Sequence, residues 1–362
     1  MIRVAALMDT VKVSGPARQL AAIASPLASA GVELHVLAFH PVHDPETPFI
    51  RHLREADVRC TPVPAYGRLR WRTLRAMNAA FDAARPDIVQ THSYRPNAHV
   101  LLSRLVGRRP EPWLAFFHGT TAENRLVKLY HALDRFLLAR ADAVCVVAKS
   151  QREHLAHIRN VSIVPNAVLL PDSPRSIVST FPRTDAVLYV GRLSHEKGVD
   201  VLLEAWPGVV ASRPSATLTV VGDGPERFKL DAQCDRLGIR GSVRFIGHQE
   251  TPWPFYAQAS VVVLPSRSEG IPNVLLEAVA RDLRIVATRV GGVPDVLGDP
   301  PAGELVGAED APALCQALLV ATDPDRVDNT IEARTRVREA FSVAARARML
   351  ASRYRELIRP KA

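Results

Sequence analysis

The sequence reads as an α/β protein made of two successive, doubly wound halves, each with a parallel sheet. Three observations carry that reading. Short β-branched, apolar runs recur along the chain, each followed by a helical pattern, which is the βαβ signature. The rhythm breaks over a Pro/Ser-rich stretch from Pro171 to Pro182 and then restarts. The length of 362 residues suffices for two domains at the soft prior of about 100–200 residues each.

The elements follow in order. Ile2 to Met8 is the first strand, and a loop runs through Gly15. A helix extends from Pro16 to about Ala30, with proline at its first position, Gly31 as its C-cap and Pro26 expected to kink it. Val32 to Phe39 is the second strand, and Ile88 to Thr91, Trp113 to Phe117 and Ala143 to Val147 are later ones. The segment Ile163 to Val168 begins the linker. Strands resume at Ala186 to Val190, Leu218 to Val221, Val243 to Ile246, Val261 to Leu264 and Ile285 to Thr288. The boundaries expected are 1–168 for the first domain and 169–341 for the second. A terminal helix from Ser342 to Ile358, with Ser342 as N-cap, falls in 342–362.

Composition excludes several classes. Hydrophobic residues make up 47% and charged residues 23%, which is ordinary for a globular α/β chain. Cys60, Cys145, Cys234 and Cys315 are scattered, with no C-x-x-C pair, which argues for a reducing compartment and against zinc or disulfide frameworks. The N-terminus lacks a signal-peptide pattern and no apolar stretch reaches membrane-spanning length. A cytoplasmic location is expected, with peripheral attachment to the inner face of the cell membrane as an extension of it. The net charge of +9 favours anionic partners: nucleotides, an anionic membrane surface or nucleic acid. Arginine is not massed in one arm, so no specific nucleic-acid partner is expected. Arg68, Arg70, Arg72 and Arg75 cluster beside Leu69, Trp71 and Leu74, an interfacial pattern that a solvated basic helix would match equally well.

The most informative stretch is Leu264-Pro-Ser-Arg-Ser-Glu269-Gly270-Ile271-Pro272-Asn273-Val274-Leu275-Leu-Glu277-Ala278. It follows an apolar strand. Gly270 and Pro272 end that strand, and a helix runs from Asn273 to Arg281. Glu269 therefore sits at the carboxyl end of a strand, where open α/β sheets bind ligands. Glu277 lies about one turn inside the helix, whose first amides point toward an anion. Carboxylates accept from sugar hydroxyls and amides hold phosphate, so the pattern suits a phosphorylated, hydroxyl-rich ligand. A second stretch, Val190-Gly191-Arg192-Leu-Ser-His-Glu-Lys197-Gly198, places two cations after another strand.

These motifs, with Gly291-Gly292-Val-Pro294-Asp295 downstream, closely resemble the retaining glycosyltransferases of family 4 (glycosyl transferases group 1), which carry a Glu-x7-Glu motif at this place. Glu269 and Glu277 have that spacing. The resemblance implies the GT-B fold, two Rossmann-like doubly wound parallel-sheet domains facing across a cleft. It implies a first domain that binds the acceptor, a second that binds the donor, and a last helix that packs back on the first.

The activity implied is transfer of a hexose from a nucleotide-diphosphate sugar to an acceptor hydroxyl with retention, in glycan, polysaccharide or glycolipid synthesis. The acceptor would be a sugar or a lipid-linked molecule. No cofactor and no divalent metal are expected, the nucleotide-sugar being a substrate. Arg192 and Lys197 correspond to the cations on the donor diphosphate, where charge develops as the glycosidic bond breaks. Glu269 corresponds to the residue near the transferred sugar, and Glu277 to the one that accepts from ribose hydroxyls. Gly270, Ile271, Asn273, Val274 and Leu275 line sugar and phosphate, with Pro272 unable to donate. Gly224, in Gly222-Asp-Gly224, and Ile246, in Arg244-Phe-Ile246-Gly247, lie beside the nucleotide. In the first domain Gly15 corresponds to a phosphate loop, and His118, in His118-Gly119, to a His facing the donor sugar.

The chain departs from the pattern at two places. Ser14-Gly15 stands where two glycines are usual, and Asp282 where glycine usually follows the motif helix. His92, at another strand end, is a candidate for lining the acceptor site. Asp323-Pro-Asp325 imitates a metal-binding D-x-D but reads as a helix start. The competing readings are a nucleotide-sugar epimerase of the same fold and a nucleotide-sugar-binding protein without transferase activity.

Overall fold

The computed structural model describes residues 1–67, 71–107, 109, 111–118, 133–167, 185–299, 301–323, 335–337 and 339–359. Arg68, Arg70, Gly119, Asp325 and the linker stretch 171–182 lie outside the described residues. The chain divides into two compact units, Met1–Leu169 with Ser342–Ala362, and Leu170–Phe341.

The first unit holds a seven-stranded sheet in the order β3-β2-β1-β4-β5-β6-β7. Its strands are β1 (Ile2–Met8), β2 (Val32–Pro41), β3 (Cys60–Ala65), β4 (Ile88–His92), β5 (Trp113–Phe117), β6 (Ala143–Val146) and β7 (Val161–Ile163). Every pairing is parallel. Such a sheet needs both faces covered, and its central strands are largely apolar, with Gln90, Thr91 and His92 of β4 the buried polar exceptions. In register, Met8 lies opposite His92 and His92 opposite Phe116, so the carboxyl ends of β1, β4 and β5 are level.

The first helix, Gly15–Ser29, starts on Ser14, whose hydroxyl accepts from the Ala17 amide at 3.4 Å. The terminal helix, Val343–Ile358, starts on Ser342, whose hydroxyl accepts from the Ala345 amide at 3.0 Å. Capping oxygens of this kind satisfy amides that have no partner inside the helix. Ala347, Leu350, Ala351 and Tyr354 bury themselves with Leu20, Ile23 and Leu27 of the first helix in one core. Arg346, also buried, donates from Nη1 to the carbonyls of Val164 (3.0 Å) and Pro165. The Gln19 amide pairs with Ala167 in both directions at 2.7 Å. The first and last helices are thus fixed to the chain segment that follows β7.

The second unit holds a six-stranded sheet in the order β10-β9-β8-β11-β12-β13. Its strands are β8 (Ala186–Val190), β9 (Thr217–Val221), β10 (Val243–Gly247), β11 (Val261–Leu264), β12 (Arg284–Thr288) and β13 (Glu304–Val306), again paired in parallel. Leu202, Leu203, Trp206 and Leu318 cover one face, against Tyr189, Val220 and Val263.

The strands read from the sequence are present within a residue or two at each end. Three others carry weaker signals. β3 contains Pro62 and Pro64, which cannot donate to a ladder; as the edge strand of its sheet it tolerates them. β7 and β13 are three residues each, too short for periodicity to register. Ile163 thus belongs to the first sheet, and the first unit extends to Leu169 rather than giving way to a linker at Ile163. Among the described residues no helix is long and apolar enough to cross a membrane.

Leu350 is fully buried between the first and last helices. Leu350→Ala is expected to cost the first unit about 2–5 kcal/mol. Urea denaturation followed by circular dichroism measures it; a loss below about 1 kcal/mol contradicts this packing.

Candidate active site

In the second unit the strand order reverses beside β8, so β8 and β11 are neighbours although two strands separate them in sequence. Open α/β sheets offer a ligand site outside the carboxyl ends at such a reversal. The loops that leave those two ends are 191–198 and 265–272. They carry Arg192 and Lys197 on one side, and Glu269 and Gly270 on the other.

Close backbone packing fixes the two loops against each other. Gly198 has φ +63°, and a Cβ there would lie 2.1 Å from the Pro265 carbonyl oxygen. Gly291, in the loop after β12, has φ +52°, and a Cβ there would lie 1.8 Å from the Glu269 carbonyl oxygen. Neither position admits a side chain, and both need the left-handed conformation that glycine adopts freely. The Gly292 amide donates to the Gly270 carbonyl at 2.8 Å. Arg267 ties the same loops by side chain. Its guanidinium donates to both carboxylate oxygens of Asp200 at 2.8 Å, to Glu309 at 2.6 Å and to the His195 carbonyl at 2.7 Å. A planar five-donor group suits this task, and lysine would not replace it.

On that frame Lys197 and Glu269 meet. The Lys197 ammonium donates to Glu269 Oε1 at 2.7 Å, and the Ser266 hydroxyl donates to the same oxygen at 2.6 Å. The Glu269 side chain is 7% exposed and that of Lys197 is 25% exposed. Charge-assisted bonds in such partly buried surroundings are stronger and better oriented than surface pairs. Glu269 Oε2 takes no hydrogen bond among the described residues.

Glu277 sits in the helix Asn273–Ala280, buried. The Tyr256 hydroxyl donates to its Oε2 at 2.7 Å, from the short helix Trp253–Tyr256. Burying a carboxylate is costly without such partners. Of the amides read as anion donors, that of Leu275 instead donates to the Pro272 carbonyl at 3.1 Å. Val274, in the first turn, has no acceptor within the helix. Asp282 has φ +61°, so it adopts the left-handed exit for which glycine is usual.

The remaining sequence-derived residues are placed as follows. Arg192 is exposed, and its carbonyl accepts from the Tyr189 hydroxyl at 2.9 Å. Gly224 packs its backbone on Leu193, whose carbonyl oxygen would lie 2.2 Å from a Cβ there. Ile246 lines a cavity of about 450 Å³ with Arg244, Thr219, Leu188 and Phe255; Arg192, Lys197, Glu269 and Glu277 are not among its walls.

In the first unit Gly15 opens the first helix beyond β1, and His118 directly follows β5. His118 Nε2 and His92 Nδ1 are hydrogen-bonded at 2.9 Å. Burial, aided by the charge of Arg346, lowers the His118 pKa to about 3, and burial drives that of His92 well down too. Both rings are neutral at physiological pH. His92 is 4% exposed and bonded on both nitrogens, so it supports His118 rather than lining an acceptor site. Arg72 and Arg75 stand exposed on the helix Trp71–Ala84.

Ser266, Arg267 and Tyr256 emerge only from the coordinates. Tyr256 reads as one more aromatic in Trp253-Pro-Phe-Tyr256, and nothing local links it to a carboxylate 21 residues away.

Comparison with known proteins follows the same division. Residues 184–323 match the family model described as glycosyl transferases group 1, and residues 13–170 that described as glycosyltransferase family 4. The phosphatidyl-myo-inositol mannosyltransferase of Mycolicibacterium smegmatis is 28% identical over 84% of this chain and 80% of its own. A glycogen synthase of Mycobacterium tuberculosis is 26% identical over 66% of this chain; the match spans 61% of that relative's length. Among solved structures, sucrose-phosphate synthase from Thermosynechococcus elongatus superposes with a TM-score of 0.77 at 22% identity, over 99% of both chains. The Anabaena HepE protein in complex with UDP-glucose superposes with a TM-score of 0.80 at 17% identity, over 98% of this chain and 100% of its own. At these identities the superpositions establish the fold, which is GT-B.

Gly291→Ala is expected to cost about 1–3 kcal/mol through backbone strain alone, before any clash with Glu269. Gly241→Ala, with nothing within 4 Å of the added carbon, serves as the neutral comparison. Equal melting temperatures for the two variants would contradict the packing described.

Proposed function

We propose, for a chain that belongs to the group 1 glycosyltransferases, that it moves a hexose from a nucleotide-diphosphate sugar to an acceptor hydroxyl with retention of configuration. The observation that carries this reading is the Lys197–Glu269 contact of 2.7 Å at the reversal of strand order in the second sheet. A cation and a carboxylate held there suit the two ends of the bond that must break. Lys197 stabilises the charge that develops on the leaving diphosphate, and Arg192, on the same loop, adds a second cation. Glu269 stands near the transferred sugar and Glu277, oriented by Tyr256, accepts from ribose hydroxyls.

The reaction balances without a covalent enzyme intermediate. The bond from the anomeric carbon to the phosphate oxygen breaks, and a bond to the acceptor oxygen forms on the same face. The acceptor's proton passes to the leaving phosphate. Lys197 and Arg192 supply the positive charge, so turnover is expected to persist in EDTA.

Synthesis of a glycan, polysaccharide or glycolipid is the setting in which such a transfer acts. For a lipid-linked acceptor, the first unit offers Arg72 and Arg75 beside Trp71, which is 63% exposed. An aromatic ring among cations suits an anionic lipid surface. Flotation with phosphatidylglycerol liposomes is expected to carry the protein upward at low salt. Equal sedimentation with and without liposomes would remove the membrane contact.

A screen of UDP-, GDP- and ADP-sugars identifies the donor, and nuclear magnetic resonance of the product reports the anomer. Lys197→Ala, Arg192→Ala and Glu269→Ala are each expected to lower kcat by about 10²-fold or more. Undiminished turnover in all three, an inverted anomer, or conversion of the donor into its epimer without acceptor would overturn the proposal.

A further inference from the structure

A line of buried polar side chains runs from the terminal helix to His118 within the first unit. The Tyr354 hydroxyl donates to Gln90 Oε1 at 2.5 Å. Gln90 Nε2 lies 2.8 Å from His92 Nε2, and His92 Nδ1 lies 2.9 Å from His118 Nε2. Tyr354 and Gln90 are fully buried, His92 nearly so, and His118 half-buried at the carboxyl end of β5. The rings of His92 and His118 lie 14° from coplanar. None of these contacts is local in sequence except that between Gln90 and His92.

The direction of every bond in the line follows from one proton. Among the described residues the Tyr354 phenol has no acceptor other than Gln90 Oε1. Turning the amide over would leave a fully buried hydroxyl proton without an acceptor, an arrangement folded proteins avoid. With Oε1 toward Tyr354, the Gln90 NH2 faces His92 and must donate to its Nε2. A neutral imidazole that accepts at one nitrogen carries its proton on the other. His92 therefore donates from Nδ1 to His118 Nε2, and His118 in turn keeps its proton on Nδ1. Both rings are neutral, as their burial beside Arg346 requires.

We infer that Tyr354 and Gln90 are positioning residues that fix the tautomer of His118, so that its Nδ1–H is presented as a hydrogen-bond donor to an oxygen of the sugar substrate. The inference rests on the reading of His118 as a substrate contact. It assigns a role to the terminal helix that its packing alone does not: besides filling the core, that helix sets which nitrogen of a distant ring bears the proton. A reversed amide would turn His118 into an acceptor at the same place, unsuited to an oxygen without a proton to offer.

The test is two-bond proton–nitrogen correlation spectroscopy of the full chain labelled with nitrogen-15 histidine. In the wild type His92 and His118 are both expected as the Nδ1–H tautomer. Tyr354→Phe removes one oxygen and leaves the packing, so far-ultraviolet circular dichroism should be unchanged. With the phenol gone, either amide orientation leaves one polar group unpaired, and His118 is expected to populate both tautomers. If the split is near even, kcat falls about twofold with the active fraction. An Nε2–H tautomer of His118 in the wild type, or a tautomer unaffected by Tyr354→Phe, overturns the inference. His118→Ala separates the two layers. Full turnover in that variant with the expected wild-type tautomer refutes the substrate contact and leaves the relay standing as a structural device.

Discussion

The ion pair between Lys197 and Glu269 is the contact on which the constraints of the second unit converge. Two loops from strands distant in sequence must arrive at one point for a 2.7 Å bond to form. The parallel sheet brings them to adjacent carboxyl ends, and two glycines remove the side chains that would hold them apart. Arg267 then clamps the loops through Asp200, Glu309 and the His195 carbonyl. Ser266 donates to the same carboxylate oxygen that Lys197 holds. The oxygen opposite takes no such bond among the described residues. On the proposed function, that asymmetry would leave one edge of Glu269 for a sugar, while the other is bound to a cation that a diphosphate would also seek.

Much of the fold was legible because parallel strands, buried on both faces, are written as continuous apolar runs. Val261–Leu264 and Ala186–Val190 needed no tertiary information. β3 was not legible, since Pro62 and Pro64 argue against a strand unless its place at the sheet edge is known. The cap at Ser342 and the left-handed Asp282 were local features and could be read locally. The site divides along the same line. Spacing exposed Glu269 and Glu277 because the motif is contiguous. Tyr256, Ser266 and Arg267 were hidden because what makes them matter is a partner brought close by folding. His92 looked like a lining residue from its strand-end position; only its two hydrogen bonds place it behind His118.

The two units solve related electrostatic problems by different means. In the second, an ammonium and a carboxylate compensate each other in one contact. In the first, burial removes charge from His92 and His118 altogether, and neutral hydrogen bonds set orientation instead. Arg346 is the exception there. It is buried, its pKa is lowered to about 10 by that burial, and backbone carbonyls of Val164 and Pro165 compensate it. Each arrangement fixes side chains that would otherwise sample several rotamers, which is what a reacting centre requires.

If Lys197 holds the donor diphosphate as proposed, it must leave Glu269 Oε1 to do so, and the two compete for one ammonium. Isothermal titration of Glu269→Gln with the nucleoside diphosphate of the preferred donor tests it most directly, since the neutral amide releases Lys197. Affinity tighter than wild type, in a variant whose sugar transfer is lost, is the result expected. Affinity equal to wild type or weaker would contradict it.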